Sequence, residues 1–224
     1  MSPLTRRSAL AHRAPLNVSD GAASIAERPF EGKLIVRGKP ETIADAVAVV
    51  LGAALPLKVL ETSAGARGMA QWLGPDEWLA VTAPSAELAL MGDLVAALTG
   101  RHAQVVDVTD YYTTIALAGA RAREMLMKVT TIDFHPRVFK PGMGVTTNFG
   151  RTVAWARQTH ENAFDVIVRI SMADYLWCLL AEAGREWGLP VQIPRGGDVK
   201  LHLPHLEAAT NGDATVVASD LEIA

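Results

Sequence analysis

QVVDVTDYYTTIALAG, Gln104 to Gly119, is strand-rich, with many β-branched and aromatic residues. It opens a second pass through an order of elements already used once upstream. ARAREMLMKV follows as a helix with Ala122, Met125, Leu126 and Val129 inward. DFHPRVFKPG, Asp133 to Gly142, is then a loop, closed by two prolines. GVTTNFGRTVAWARQ and AFDVIVRI make two more strands around the polar THEN. Ser171 opens a last helix, with Asp174 at capping-box spacing and Met172, Tyr175, Leu176, Leu179 and Ala183 as the buried stripe.

The first half runs in the same order. KLIVRG, Lys33 to Gly38, is a short strand, and ETIADAVAVVLGAAL is a helix with Ile43, Val47, Val50 and Leu51 on one face and Thr42 as N-cap. ARGMAQWLGPDEWLAVTAP is a hairpin turning at Gly74, Pro75 and Asp76. Ser85 caps a second helix that stops at Gly100. Two strand-helix-strand-strand-helix halves, each a small antiparallel sheet with helices on one face, predict an α+β fold. The predicted organisation is an N-terminal arm over 1–30, a doubled α+β domain over 31–188 and a C-terminal extension over 189–224.

Composition removes several functions. The 224 residues carry 21 basic and 24 acidic side chains, a formal net charge of -3, which argues against nucleic acid or an anionic membrane as the main partner. No apolar run approaches the roughly 20 residues of a membrane span, and the arginine-bearing start lacks the apolar core of a signal peptide. A cytoplasmic chain is expected. A single cysteine, Cys178, forms no internal disulfide, and the six histidines are scattered apart from His202 and His205, so no zinc site is expected.

Each candidate for chemistry has a plainer reading beside it. GARGMA, Gly65 to Ala70, is the nearest glycine spacing to a phosphate cradle and matches no dinucleotide or Walker pattern. Asp76 and Glu77 are adjacent, so they diverge rather than flank a substrate, and Trp72 and Trp78 are expected to pack on the core or a neighbour. Asp107 and Asp110 face apart unless a turn intervenes. Asp133 stands where it orients His135 for catalysis, or where it satisfies a turn with its own side chain. No nucleophile accompanies that pair, and the turn is the preferred reading.

Six stretches carry a resemblance: RSALAHR, AERPFEGKLIVRG, WLGPDEWL, VVDVTDYYTTIALAGARAREML, DFHPRVFKPGM and ADYLWCLLAEAGREWG. In this order, from Arg7 to Gly188, they resemble the gamma subunit family of heterotetrameric sarcosine oxidase. The resemblance implies the fold of the folate-binding domain of aminomethyltransferases. It also implies membership of a flavoenzyme complex that oxidatively demethylates sarcosine to glycine and passes the one-carbon unit to tetrahydrofolate. FAD, FMN, NAD, tetrahydrofolate and zinc are then carried by other subunits, and the large alpha subunit is the expected partner. It carries over no catalytic, cofactor-binding or metal residue. Trp72, Trp78, Asp133, His135, Arg137 and Trp177 are expected to serve the fold or a subunit contact. The alternatives are the corresponding subunit of N-methylglutamate dehydrogenase, a stand-alone folate-dependent one-carbon transferase, and an unrelated binding module using the Trp72/Trp78 hairpin.

Overall fold

A computed structural model of the chain describes residues 6–193, so His202, His205 and the extension from residue 194 onward lie outside the described residues. The architecture is α+β, with four helices and two antiparallel sheets. Within the N-terminal arm expected over 1–30, the chain forms β1 (Leu16–Asn17) and β2 (Ser24–Arg28), with Leu10, Ala23 and Ile25 buried. Only alternate residues of so short a strand turn inward, which leaves too few apolar positions to show a period.

The first half continues with β3 (Gly32–Gly38), α1 (Pro40–Leu51), β4 (Thr62–Gly65), β5 (Gly68–Gly74), β6 (Glu77–Thr82) and α2 (Glu87–Ala97). Pro40 stands in the first turn of α1, where its missing N–H costs nothing, and Lys39 rather than Thr42 occupies the cap position. The cap of α2 is likewise Ala86, because Ser85 is held at φ 66. The β5–β6 turn falls at Pro75 and Asp76, as the turn residues require.

The stretch 104–119 is rich in strand, as expected, and divides in two. It breaks into β7 (Ala103–Asp107) and β8 (Tyr112–Ala118), separated by a 3-10 turn at Thr109–Tyr111. Asp107 makes the break, since its carboxylate accepts the Thr109 backbone N–H at 2.9 Å. The half closes with α3 (Ala122–Val129), β9 (Gly144–Phe149), β10 (Thr152–His160), β11 (Ala163–Arg169) and α4 (Ile170–Ala183). The first half thus gains β4 over its sequence pattern, and the second gains two strands, β7 split from β8 and β9 split from β10.

The five-stranded sheet has order β4-β5-β6-β3-β7 and the six-stranded sheet β1-β2-β8-β11-β10-β9. The halves trade strands. β7 leads the second half but pairs with β3 of the first, while β2 leads the first half but pairs with β8 of the second. Period-2 alternation then sorts the side chains into layers. Leu34, Val36, Trp78 and Ala80 face α1 and α2; Ile115, Leu117, Phe164 and Val166 face α3 and α4. The intervening positions meet between the sheets, where Met69, Leu79 and Val81 pack on Ile167.

That seam is only partly apolar. Lys33, Gln71 and Asp165 are buried, and Asp165 is paired with Arg28 and, at 2.6 Å, with Arg157. Gly144 belongs to the same seam: a Cβ there would sit 2.7 Å from Gln71 Cδ, so only glycine lets β9 approach β5. Burial lowers the Lys33 pKa from 10.5 to about 8, with Glu31 opposing the shift and Arg28 and Arg157 adding to it. Below pH 8 the ammonium is charged in both states and its desolvation fully opposes folding. Between about 8 and 10.5 the unfolded chain holds more protons, so stability rises with pH.

Lys33→Met should therefore stabilise the chain at pH 7 by about 3 kcal/mol at most, with the difference from wild type closing toward pH 10.5. Urea unfolding of both proteins at pH 7 and pH 10 measures this. A variant less stable than wild type at pH 7 would show that the ammonium holds the seam together.

Candidate functional site

The loop DFHPRVFKPG hangs on a cation inside the protein. Arg123 of α3 is buried, and its guanidinium donates to the carbonyls of Phe134, of Phe139 at 3.1 Å and of Glu161 at 3.3 Å. It also lies 5.2 Å from the Phe164 ring centroid. Phe134 and Phe139 insert beneath the loop with ring centroids 4.6 Å apart. Burial lowers the Arg123 pKa, with Glu161 opposing, and the carbonyls stand in for the water the guanidinium has lost.

Outside this anchor, Asp133, His135 and Arg137 satisfy one another. Asp133 accepts the His135 backbone N–H at 2.8 Å, not the imidazole. His135 Nδ1 accepts the Arg137 backbone N–H at 3.2 Å, and the His135 carbonyl accepts from Val138 and Phe139. The carboxylate that would orient a catalytic imidazole is spent on the turn, and among the described residues no nucleophilic side chain is bonded to the ring. The loop's exit is bound to the other half: Thr62 donates to the Gly142 carbonyl at 2.5 Å, and the Gly144 N–H to Leu60.

The remaining candidates are also engaged locally. Trp78 is buried and donates its indole N–H to the Pro56 carbonyl at 2.6 Å; Trp72 opposes it across the ladder, half-buried against the same core. Asp76 pairs with Arg37 at 3.3 Å. Asp110 pairs with Arg6, so Asp107 and Asp110 form no carboxylate pair. Trp177 is buried, and its indole nitrogen has no partner among the described residues. Burial raises the pKa of the neighbouring Cys178 thiol, against the pull of Arg13, whose guanidinium lies 3.3 Å from the sulfur. A thiol so held is not a nucleophile at neutral pH. No group of three or more His, Cys, Asp or Glu side chains able to hold a metal occurs among the described residues.

Asp174 shows why the last helix differs from its predicted face. It accepts from Arg13 at 2.7 Å and bonds His12 at 2.7 Å instead of reaching back as a cap. With that edge tied to RSALAHR, the buried residues are Ala173, Leu176, Trp177, Cys178, Leu180, Ala181 and Ala183; of the expected stripe Leu176 and Ala183 are buried and Met172, Tyr175 and Leu179 half-buried. Sequence reasoning missed Arg123, Arg13 and Lys33. Arg123 sits at the margin of the 122/125/126/129 stripe, and its long side chain followed by a polar loop was the available signal.

A family model described as "Sarcosine oxidase, gamma subunit family" matches residues 37–186. The chain belongs to that family. The match covers the strands, helices and anchored loop from within β3 to just past α4. Among gamma subunits of the family, that of Arthrobacter sp is 33% identical over 172 residues, 76% of this chain and 84% of that one. That of Corynebacterium sp. (strain U-96) is 30% identical over 189 residues, 81% and 91% of the two chains. Among solved structures, a chain of the heterotetrameric sarcosine oxidase from Corynebacterium sp. U-96 in complex with pyrrole 2-carboxylate superposes with a TM-score of 0.76 at 28% identity. The overlap covers 84% of this chain and 98% of that one. The glycine cleavage system aminomethyltransferase T from Bartonella henselae matches with a TM-score of 0.57 at 15% identity, covering 79% of this chain and 48% of that one, a likeness of fold alone.

Arg123→Met should cost about 3 kcal/mol in urea unfolding, because three carbonyls lose a charged donor. His135→Ala should cost about 1 kcal/mol or less, since it removes only the bonds from Arg137. Equal losses for the two variants would contradict the anchoring role of Arg123.

Proposed function

We propose that this chain is the gamma subunit of a heterotetrameric sarcosine oxidase-type flavoenzyme, which oxidatively demethylates sarcosine to glycine and transfers the one-carbon unit to tetrahydrofolate. The observation that carries this is the near-complete overlap with a chain of such an enzyme, 98% of that chain at a TM-score of 0.76. The relatives named above are gamma subunits of sarcosine oxidase, which favours this reading over the N-methylglutamate dehydrogenase counterpart. The likeness to aminomethyltransferase T does not carry its activity across, since one fold serves many functions.

The proposed role is structural. FAD, FMN, NAD, tetrahydrofolate and zinc belong to the other subunits, with the large alpha subunit as partner and the cytoplasm as the place of work. This role agrees with a chain whose candidate acids, imidazole and thiol are used in turns, ion pairs and packing. What such a chain supplies to catalysis is a rigid surface. A partner held in one geometry keeps its reacting groups aligned, and a misplacement of about 1 Å is enough to cost a hundredfold in rate.

Co-expression with the other subunits should yield a flavin-coloured complex that contains this chain. A fully assembled, fully active complex recovered without it would overturn the proposal. In the assembled complex, His135→Ala should retain turnover per bound flavin. Loss of turnover with assembly and flavins intact would make the imidazole catalytic.

A further inference from the structure

We propose that the open end of the inter-sheet seam, around Tyr112 and Trp155, is the surface on which another subunit lays an acidic segment that also carries apolar side chains. The inference rests on the reading of the chain as one subunit of a hetero-oligomer and assigns a place to that contact.

The inner face of the six-stranded sheet is longer than the five-stranded sheet that covers it. Along β10 the inward positions run Arg157, Trp155 and Val153; the first two are half-buried and Val153 is 55% exposed, with exposed Arg151 in the turn just before the strand. Across β11 and β8 the same face carries Asp165, Ile167 and Arg169, then Thr114 and Tyr112. Ile167 is sealed by the opposing sheet; past it lies a groove of about 540 Å³ lined by Tyr112, Trp155, Val153, Arg151, Arg169 and Met172. Its aromatic floor is set by contact, the Tyr112 and Trp155 rings lying 4.4 Å apart at 35°. Tyr111 and Ile170, 52% and 48% exposed, extend the apolar surface beside it.

Charge distinguishes the two ends of the seam. At the closed end Arg28 and Arg157 share the buried carboxylate of Asp165. At the open end Arg151 and Arg169 have no carboxylate partner among the described residues; Arg169 lies only over the Tyr111 ring, at 5.4 Å. Two unneutralised guanidinium groups flanking an apolar, aromatic groove match a segment with carboxylates at its edges and aliphatic or aromatic side chains between them. Arginine and aromatic residues are the side chains that concentrate binding energy at protein interfaces.

A second copy of this chain does not fit. In a two-fold dimer a patch meets itself, which would bring Arg151 and Arg169 toward their own counterparts. Nor does nucleic acid suit a chain of net charge -3. A chemically different, acidic partner does fit, and the similar chain noted above comes from a heterotetrameric enzyme.

The test is pull-down of the full chain by an affinity tag on the large subunit after co-expression with all partners. Val153→Asp, and Arg151→Glu combined with Arg169→Glu, should each reduce binding by about tenfold or more. Arg151→Lys with Arg169→Lys, and the control Val49→Asp on the exposed face of α1, should stay within about twofold of wild type. Circular dichroism of each isolated chain verifies folding, and the double glutamate variant, which alters exposed side chains only, decides the matter if Val153→Asp is misfolded. Wild-type assembly by both groove variants would overturn the proposal. So would an isolated chain that is dimeric and is made monomeric by the groove variants, since the occupant would then be a second copy. Failure of the wild-type chain itself to join the complex is a separate result, and it removes the subunit reading on which the groove proposal stands.

Discussion

The structure depends on a trade of strands. β2 and β3 are joined by residues 29–31, and β7 and β8 by residues 108–111, yet in each case the chain crosses from one sheet to the other. Each half therefore lends a strand to its neighbour's sheet, β2 to the six-stranded sheet and β7 to the five-stranded one. If either half were removed, the other would lose a paired strand and expose the backbone groups that strand satisfies. The order of elements repeats, but the halves are not independent domains. The short connections force the sheets face to face, and the seam between them follows from that.

A seam made this way inherits whatever the alternating pattern sends inward. Apolar residues arrive at Met69, Leu79, Val81 and Ile167, and charged ones at Lys33, Arg28, Arg157 and Asp165. The carboxylate of Asp165 is matched by two guanidinium groups, so its burial is compensated, whereas Lys33 is left with the Glu31 carbonyl at 3.0 Å and bears the desolvation. Buried ions of this kind add little net stability. What they add here is register, because a slip of one residue would turn Asp165 away from Arg157 and into the apolar core against α4.

Much of this architecture was legible in the sequence. The β5–β6 hairpin was, because glycine, proline and aspartate leave a chain few conformations other than a turn. Helix positions were, because Ile43, Val47 and Leu51, or Met125 and Leu126, recur at a helical period and are buried. What failed were inferences in which a side chain had two possible partners. Asp174 had the spacing of a capping box but is used by Arg13 and His12, more than 160 positions away in the sequence. Asp107 is the last residue of β7, and its carboxylate also closes the turn that follows, which strand alternation alone does not show. β2 was hidden because Ser24–Arg28 holds few apolar residues, and its place comes from pairing with β8, a long-range contact that local pattern does not carry.

The loop at Asp133 shows how function and architecture meet. Its acid, imidazole and guanidinium resemble a reacting group but build a corner over Arg123, and the corner's exit fastens the second half to Leu60–Thr62 of the first. The same economy holds elsewhere: chemically capable side chains close turns, while Arg151 and Arg169, without a carboxylate partner among the described residues, flank the open end of the seam. All of this requires the two halves to behave as one body. Native-state hydrogen exchange in low urea measures that directly. The amides of β3, β7, β8 and β2 should exchange through a single opening with one free energy and one urea dependence. Exchange of β3 and β7 through a lower-energy opening that leaves β8 and β11 protected would contradict the account.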